Sequence, residues 1–166
     1  MPETAYKTAS SLLPEQMLID FFSERKLTFA LAESCTGGLI AARITNISGA
    51  SAMFNGAVVC YANDVKRDLL GVSQRLLETE GAVSSACAKA MAEGARTALK
   101  SDIAVSVTGI AGPGGGTPTK PVGLVFIGIA TEEEVSAEEH FFAGDRESIR
   151  KQATDAALRA ALRAAR

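Results

Sequence analysis

Apolar residues follow two different spacings along the chain, and these spacings predict its strands and helices. Five segments with continuous or alternating apolar residues predict strands: residues 27–34, 56–63, 102–109, 122–131 and 135–142. Apolar residues that recur three and four positions apart predict helices: residues 12–26 with a start near Pro14, 36–46, 65–71, 73–80, 84–101 with Ser84 or Ser85 as its cap, and 146–165.

Strands that alternate with helices predict an α/β fold, in the form of a three-layer α/β/α sandwich. The sheet is expected to be mixed and mostly parallel, with about five to six strands, because the last two strands are joined by a short connection that suits a hairpin. We expect a single domain over residues 11–166, after a flexible N-terminal tail at residues 1–10. Ligands of open α/β sheets bind beyond the carboxyl ends of the strands, which selects the loops after Ala32, Tyr61 and Thr108.

Charge and composition exclude several classes of partner. The 166 residues carry a formal net charge of -2, which gives no electrostatic reason to expect nucleic acid or an anionic membrane. No apolar run approaches the roughly 18 to 20 residues that span a bilayer. The N-terminal residues also lack the basic-then-apolar pattern of a signal peptide. We therefore predict a cytoplasmic protein with no nucleic-acid or membrane partner.

Cysteine and histidine usage gives little support to metal or disulfide chemistry. Cys35, Cys60 and Cys87 lie far apart and form no C-x-x-C pair, so neither a zinc site nor a disulfide is predicted. His140 is the single histidine of the sequence. It falls in an alternating segment and is expected to be an ordinary strand residue. No metal or organic cofactor is predicted.

The segment LAESCTGGLIAARI, residues 31–44, places polar residues between an apolar strand and a helix. A helix N-terminus at this point would present free N–H groups and the positive end of the helix dipole, which suits an oxyanion or a phosphate. Gly37 and Gly38 would let the backbone approach a ligand closely. Ser34 or Thr36 could equally serve only to cap the helix. Spacing alone favours neither interpretation.

A lysine follows the second predicted strand. A serine nucleophile needs a base, and a desolvated lysine can act as one. Tyr61 and Lys66, within YANDVK, lie at the same predicted edge of the sheet as Ser34. The alternative is a solvated Lys66 at the start of an amphipathic helix, and the residues alone favour that alternative.

A glycine-rich loop follows Thr108. Its GIAGPGGG sequence is neither a P-loop nor a dinucleotide-binding fingerprint, because no helix follows the glycines. Backbone amides of such a loop could still surround a small anionic ligand. A flexible linker between two strands is the alternative.

The segment AGDRESIR begins the last predicted helix. Asp145 suits its N-cap position. Arg146 and Arg150 lie four positions apart on one helix face, so both could converge on a phosphate or a carboxylate. Solvated surface arginines are the alternative.

Five motifs occur in one order along the chain: AESCTGG, YANDVK, TGIAGPGGG, KPVG and GDR. Together they resemble the C-terminal domain of the CinA family (competence/damage-inducible protein A), over nearly the whole chain. The resemblance implies a three-layer α/β/α sandwich with a mixed sheet. It also implies hydrolysis of the carboxamide of nicotinamide mononucleotide, giving nicotinic acid mononucleotide and ammonia in pyridine nucleotide recycling. Many members carry a further N-terminal domain that resembles molybdopterin-binding proteins, so this chain is expected to be a stand-alone form.

The resemblance also implies roles for single residues. Ser34 would be the nucleophile, Lys66 its base, and Tyr61 would position or relay the proton. Backbone N–H groups from Cys35 to Gly38 would stabilise the oxyanion. Either Arg146 or Arg150 would hold the phosphate. The residues expected to bind the nucleotide substrate are Thr36, Gly37, Gly38, Thr108, Gly109, Gly112, Arg146 and Arg150.

Two alternatives remain open at this point. In the first, the chain is a non-catalytic nucleotide-binding regulatory module of the same fold. In the second, Cys35 is the nucleophile in place of Ser34, which is disfavoured because Cys35 has no histidine near it in the sequence. We also expect a homo-oligomer.

Overall fold

The computed structural model describes residues 13–166, so the predicted tail at residues 1–10 lies outside the described residues. Over this range the chain forms five strands and six α-helices. The strands are β1 Phe29–Glu33, β2 Phe54–Val59, β3 Ile103–Gly109, β4 Leu124–Ala130 and β5 Val135–Phe141. The helices are α1 Pro14–Arg25, α2 Leu39–Thr45, α3 Asn63–Leu70, α4 Gln74–Thr79, α5 Ser85–Ala98 and α6 Arg146–Ala164.

The strands form one mixed sheet in the order β2-β1-β3-β4-β5. β1 pairs in parallel with both β2 and β3, so that Glu33 lies opposite Val59 on one side and Val107 on the other. β4 runs antiparallel to β3, and β5 runs antiparallel to β4. The carboxyl ends of β1, β2 and β3 therefore meet at one edge of the sheet. The predicted mixed α/β architecture is confirmed.

Helices cover both faces of the sheet. α1, α2 and α6 pack on one face, around buried side chains such as Phe22, Ile127 and Leu158. α3, α4 and α5 cover the other face, around residues that include Leu70 and Met91. β1 is buried along its whole length because it lies between two strands and two helical layers. This explains its continuous apolar sequence. Among the helices of the described residues, none is both long enough and apolar enough to cross a membrane.

Two element boundaries beside the candidate site differ from the prediction. α2 begins at Leu39, three residues later than expected, because Gly37 and Gly38 have φ angles of +60° and +96°, which do not belong to a right-handed helix. β2 ends at Val59, short of the predicted residue 63. The chain leaves the sheet there because the next two carbonyl groups turn towards a lysine side chain.

Candidate active site

A cleft of about 280 Å³ lies at the carboxyl ends of β1, β2 and β3. We call it the Ser34 cleft. The three loops selected from the sequence all contribute to its wall, together with the start of α6. The residues that line it include Ser34, Cys35, Tyr61, Lys66, Thr108, Gly109, Gly112 and Arg146. The glycine-rich loop after Thr108 therefore forms part of a cleft, and Asn63 at the start of α3 lines it too.

Ser34 and Lys66 are in direct contact inside this cleft. The Lys66 Nζ lies 3.1 Å from the Ser34 Oγ, and it also donates to the carbonyl oxygens of Cys60 at 2.8 Å and Tyr61 at 3.2 Å. Lys66 is 1% exposed and Ser34 is 9% exposed. The interpretation of Lys66 as a solvated surface residue is therefore wrong.

The order of the elements explains how Lys66 reaches Ser34. The Cys60 N–H donates to the Glu33 carbonyl at 2.8 Å, which holds the end of β2 beside the end of β1. α3 starts directly afterwards, and Lys66 and Leu70 form its buried side, one helical turn apart. The lysine thus holds a buried position of an amphipathic helix where an apolar residue is usual. Its amine then meets the strand ends rather than solvent.

The three groups around the Lys66 Nζ can form hydrogen bonds with either a charged ammonium group or a neutral amine. An ammonium group has three N–H donors, which match the two carbonyl groups and the Ser34 hydroxyl. A neutral amine keeps two N–H donors for the carbonyl groups and directs its lone pair at the Ser34 hydroxyl. The second arrangement is the one that a general base requires. The surroundings of Lys66 can therefore hold the amine before and after it takes a proton.

Glu33 has a structural role that the sequence analysis missed. Its fully buried carboxylate accepts from the N–H groups of Gly38 at 3.0 Å, Ile40 at 3.2 Å and Ala41 at 2.9 Å. The free amides at the start of α2 are thus occupied by the protein itself. A glutamate at the end of a buried apolar strand, four residues before a glycine pair and a helix, is the sequence signal that could have revealed this.

These contacts leave fewer backbone N–H groups free to act as oxyanion donors than the sequence predicts. The Gly37 N–H donates to the Ser34 carbonyl at 3.0 Å, and the Gly38 N–H belongs to Glu33, so the prediction that these two amides are free for an anion is wrong. Within residues 13–166, the N–H groups of Cys35 and Thr36 donate to no other group. Cys35 lines the cleft, whereas Thr36 is fully buried. The Cys35 N–H is therefore the available donor.

Arg146 and Arg150 have different hydrogen-bond partners, although both lie in the first turns of α6. Arg146 lines the cleft and donates to the Gly112 carbonyl at 2.8 Å and to the Tyr61 hydroxyl at 3.2 Å. Arg150 donates instead to the backbone carbonyls of Cys35 and Thr36. Of the two, only Arg146 lines the Ser34 cleft, while both line a neighbouring cleft at the start of α6. Their convergence on one ligand stays a prediction.

The remaining hydroxyl groups are held in different ways. The Thr108 hydroxyl donates to the Ala82 carbonyl at 2.7 Å at the cleft wall. The Tyr61 ring is 61% exposed, and its hydroxyl accepts from Arg146, while its carbonyl accepts from Lys66. The Thr36 hydroxyl is buried and has no partner among the described residues. Thr36 neither caps α2, whose N-cap is Gly38, nor lines the cleft.

Neither cysteine nor histidine offers a competing reactive centre here. Burial raises the pKa of the Cys35 thiol to about 11, and that of the Cys60 thiol likewise to about 11. A thiol with such a pKa stays protonated at neutral pH. His140 lies on β5, which β3 and β4 separate from β1, and its Nε2 is 3.1 Å from Glu138. Across residues 13–166, no group of three or more His, Cys, Asp or Glu residues could hold a metal ion.

Known proteins with the same sequence pattern and fold place this chain in a family. The family model of the CinA C-terminal domain matches residues 13–165. A CinA-like protein of Geobacter metallireducens is 59% identical over 129 residues, which cover 78% of this chain and 31% of that protein. A CinA-like protein of Dictyoglomus thermophilum is 49% identical over 144 residues, which cover 87% of this chain and 35% of that protein.

Solved structures agree with the sequence comparison. The crystal structure of the competence/damage inducible protein CihA from Agrobacterium tumefaciens matches with a TM-score of 0.88 at 42% identity, covering 93% of this chain and 98% of that chain. The chain spans about a third of the length of the curated relatives it matches. The family match nevertheless runs from α1 to the end of α6. The chain belongs to the CinA C-terminal domain family, as its five motifs predict.

Proposed function

We propose that the chain hydrolyses the carboxamide of nicotinamide mononucleotide to nicotinic acid mononucleotide and ammonia. Ser34 acts as the nucleophile and Lys66 as its base. The observation that carries this proposal is the 3.1 Å contact between the Lys66 Nζ and the Ser34 Oγ within a cleft at the strand ends. The choice of substrate rests on the family resemblance, and the reaction type rests on the paired side chains.

The two side chains suffice for both halves of an amide hydrolysis. The neutral Lys66 amine takes the Ser34 proton while the Oγ attacks the carboxamide carbon. The tetrahedral intermediate collapses as the lysine returns that proton to the departing nitrogen, which releases ammonia and leaves an ester on Ser34. A water molecule then attacks the ester, with Lys66 again as base. The proton passes back to Ser34, and the acid product departs.

Two further groups of the cleft support this chemistry. The Cys35 N–H follows the nucleophile directly and faces no partner of its own among the described residues, so it can donate to the developing oxyanion. Arg146 presents a cation beside the glycine-rich loop, which suits the phosphate of a mononucleotide. The exposed Tyr61 ring next to it offers a flat apolar surface to the pyridine ring.

Release of ammonia from nicotinamide mononucleotide by the purified chain tests the proposal, with Ser34→Ala as the matched control. We expect turnover by the wild type and a loss of about 10³-fold or more in Ser34→Ala, because removing a nucleophile abolishes the covalent route. Binding of the nucleotide, measured by calorimetry, should survive the substitution.

Two outcomes would contradict the proposal. Binding by the wild type without any ammonia release would identify a regulatory nucleotide-binding module. Equal ammonia release by the wild type and by Ser34→Ala would remove Ser34 from the reaction.

A further inference from the structure

We propose that Arg150 is a positioning residue: it holds the turn that carries Ser34, residues 34–37, in its reactive conformation without contacting the substrate. This inference rests on the proposed function, because the reactive conformation is defined by attack of Ser34 on an amide. It assigns a role different from the predicted contact with phosphate. We call residues 34–37 the Ser34 turn.

The contacts of the guanidinium group carry the inference. The Arg150 Nε donates to the Cys35 carbonyl at 3.1 Å, and the Nη2 donates to the Thr36 carbonyl at 2.7 Å. The planar guanidinium group offers its N–H donors in fixed directions. Two neighbouring carbonyl groups are therefore held in a single orientation relative to α6.

These carbonyls belong to the two central residues of the Ser34 turn. The turn is closed by the Gly37 N–H, which donates to the Ser34 carbonyl at 3.0 Å. In such a turn the carbonyls of the central residues lack a partner within the turn itself, and a buried carbonyl without a partner is costly. Arg150, from a different element, supplies the partner of the Cys35 carbonyl and a second partner of the Thr36 carbonyl, which also accepts from the Leu39 N–H at 3.2 Å.

The orientation of the turn determines where the reactive groups point. A peptide group is planar and trans, so a fixed carbonyl also fixes the N–H on the other side of the same peptide bond. The fixed Thr36 carbonyl thus orients the Gly37 N–H, which donates to the Ser34 carbonyl. The Ser34 carbonyl lies in the same peptide plane as the Cys35 N–H. Arg150 therefore restricts the orientation of the Cys35 N–H next to the nucleophile.

The part of α6 that carries Arg150 is anchored in the core. Its neighbour Ile149 is 1% exposed, and Ala153 on the next turn is fully buried in the core between α6 and the sheet. The Thr154 hydroxyl donates to the Arg150 carbonyl at 2.9 Å. One helix therefore carries Arg146 at the cleft and Arg150 behind the Ser34 turn. The distance between the cation of the cleft and the nucleophile is set through α6.

Steady-state kinetics of Arg150→Met test this role, because methionine keeps much of the stem and removes every donor. We expect kcat for ammonia release to fall roughly 10²-fold, as small misplacements of reacting groups do, while KM stays within about threefold of wild type. Arg150→Lys, which restores donors, should recover part of kcat. Arg163→Met, on the exposed side of the same helix, should leave both constants unchanged.

A second readout does not depend on turnover. Amide NMR signals of residues 35–38 should shift in Arg150→Met without substrate and stay in place in Arg163→Met. A fall in kcat/KM that lies entirely in KM would mean that Arg150 contacts the substrate, and it would overturn the positioning role. Unchanged kcat in Arg150→Met would overturn it as well.

The proposed function and the positioning role can fail separately. If the wild type releases no ammonia, the proposed function fails and the NMR readout alone decides on Arg150. Signals of residues 35–38 that do not shift in Arg150→Met then refute positioning. If Arg150→Met does not fold, the same kinetic and NMR comparison is made with Arg150→Lys, whose shorter reach should lower kcat by a smaller factor at constant KM.

Discussion

Two clefts of this protein differ both in volume and in how their polar side chains are bonded. The larger, of about 670 Å³, lies between β5 and α6, and we call it the β5–α6 cleft. It is lined by Glu133, Glu134, Glu138 and Arg163 among others. The Ser34 cleft has less than half that volume. In the β5–α6 cleft, Glu138 and Arg163 form an ion pair at the surface.

At and beside the Ser34 cleft, three polar side chains are instead removed from water and hydrogen-bonded to backbone groups. Lys66, Glu33 and Thr108 are each at most 1% exposed, and each has hydrogen-bond partners from the main chain. Buried polar groups are costly unless they are bonded. Their concentration at the carboxyl ends of parallel strands is typical of a functional site. Volume alone would favour the β5–α6 cleft instead.

The largest expected difference between the clefts follows from Lys66→Arg. Arginine keeps a positive charge but does not deprotonate near neutral pH, so we expect ammonia release to fall by about 10²–10⁴-fold, the usual contribution of a general base. Lys66→Met, which is close in length and carries no amine, should fall at least as far. Circular dichroism of both variants checks that the fold survives.

Retention of more than about a tenth of wild-type turnover by Lys66→Arg would show that Lys66 is not the base. The matched change in the β5–α6 cleft is Arg163→Lys, for which we expect turnover equal to wild type.

Cys35 provides the next test, because it lies beside Ser34 but has the properties of a core residue. Burial, as the largest cause, raises the pKa of its thiol to about 11. Thiolate is the reactive form, so alkylation by iodoacetamide at pH 7.5 should be roughly 10²-fold slower than for a free cysteine with a pKa of about 8.5. The rate should rise about tenfold per pH unit until the pH approaches that pKa. Mass spectrometry follows the adduct. Fast alkylation of Cys35 at pH 7, with parallel loss of turnover, would favour cysteine as the nucleophile.

Much of the fold follows from local sequence signals. β1 and β4 are continuous apolar runs because both faces of each strand are covered, and α5 and α6 carry the serine and aspartate caps that their sequences predict. The Ser84 Oγ accepts from the Cys87 N–H, which settles the choice between Ser84 and Ser85. The start of α2 could not be predicted in the same way. It depends on Glu33, whose carboxylate reaches over the glycine pair only after β1 is buried.

The candidate site shows the same division. The motifs place Ser34, Lys66 and Thr108 at strand ends, so their proximity follows from the topology of a parallel sheet. The separation of Arg146 from Arg150 depends on where α6 packs against the Ser34 turn, which is a tertiary property. Burial of Lys66 likewise depends on packing of α3 against the sheet. The predicted homo-oligomer, the cytoplasmic location and the stand-alone form stay predictions.

A smaller effect is expected from Glu33→Gln. Glutamine replaces one carboxylate oxygen by an NH₂ group, so at least one of the three α2 amides loses its acceptor. An unsatisfied buried N–H costs about 1–3 kcal/mol, and we expect a loss of that order in the free energy of unfolding measured in urea. Turnover should fall roughly tenfold, because the Ser34 turn ends where these amides begin.

Glu24→Gln, at an exposed position of α1, is the matched control. Equal stability of Glu33→Gln and wild type would show that the carboxylate contributes nothing to holding α2.

Glu138→Gln, in the β5–α6 cleft, should have the smallest effect and a distinct dependence on pH. Desolvation alone would raise the pKa of the Glu138 carboxyl, but hydrogen bonds from Arg163 and His140 outweigh it and lower the pKa from its usual 4.5. A carboxylate whose pKa is lowered by folding stabilises the fold above its unfolded pKa and loses this contribution as the pH falls through the folded pKa. Because the side chain is 34% exposed, solvent screening limits the contribution to about 0.2–1 kcal/mol.

We therefore expect wild type to exceed Glu138→Gln by that amount in free energy of unfolding at pH 5 and by less at pH 3, with equal ammonia release at pH 7. A stability gap that widens towards pH 3 would contradict the assigned ion pair, and a loss of turnover would mean that the β5–α6 cleft takes part in the reaction after all.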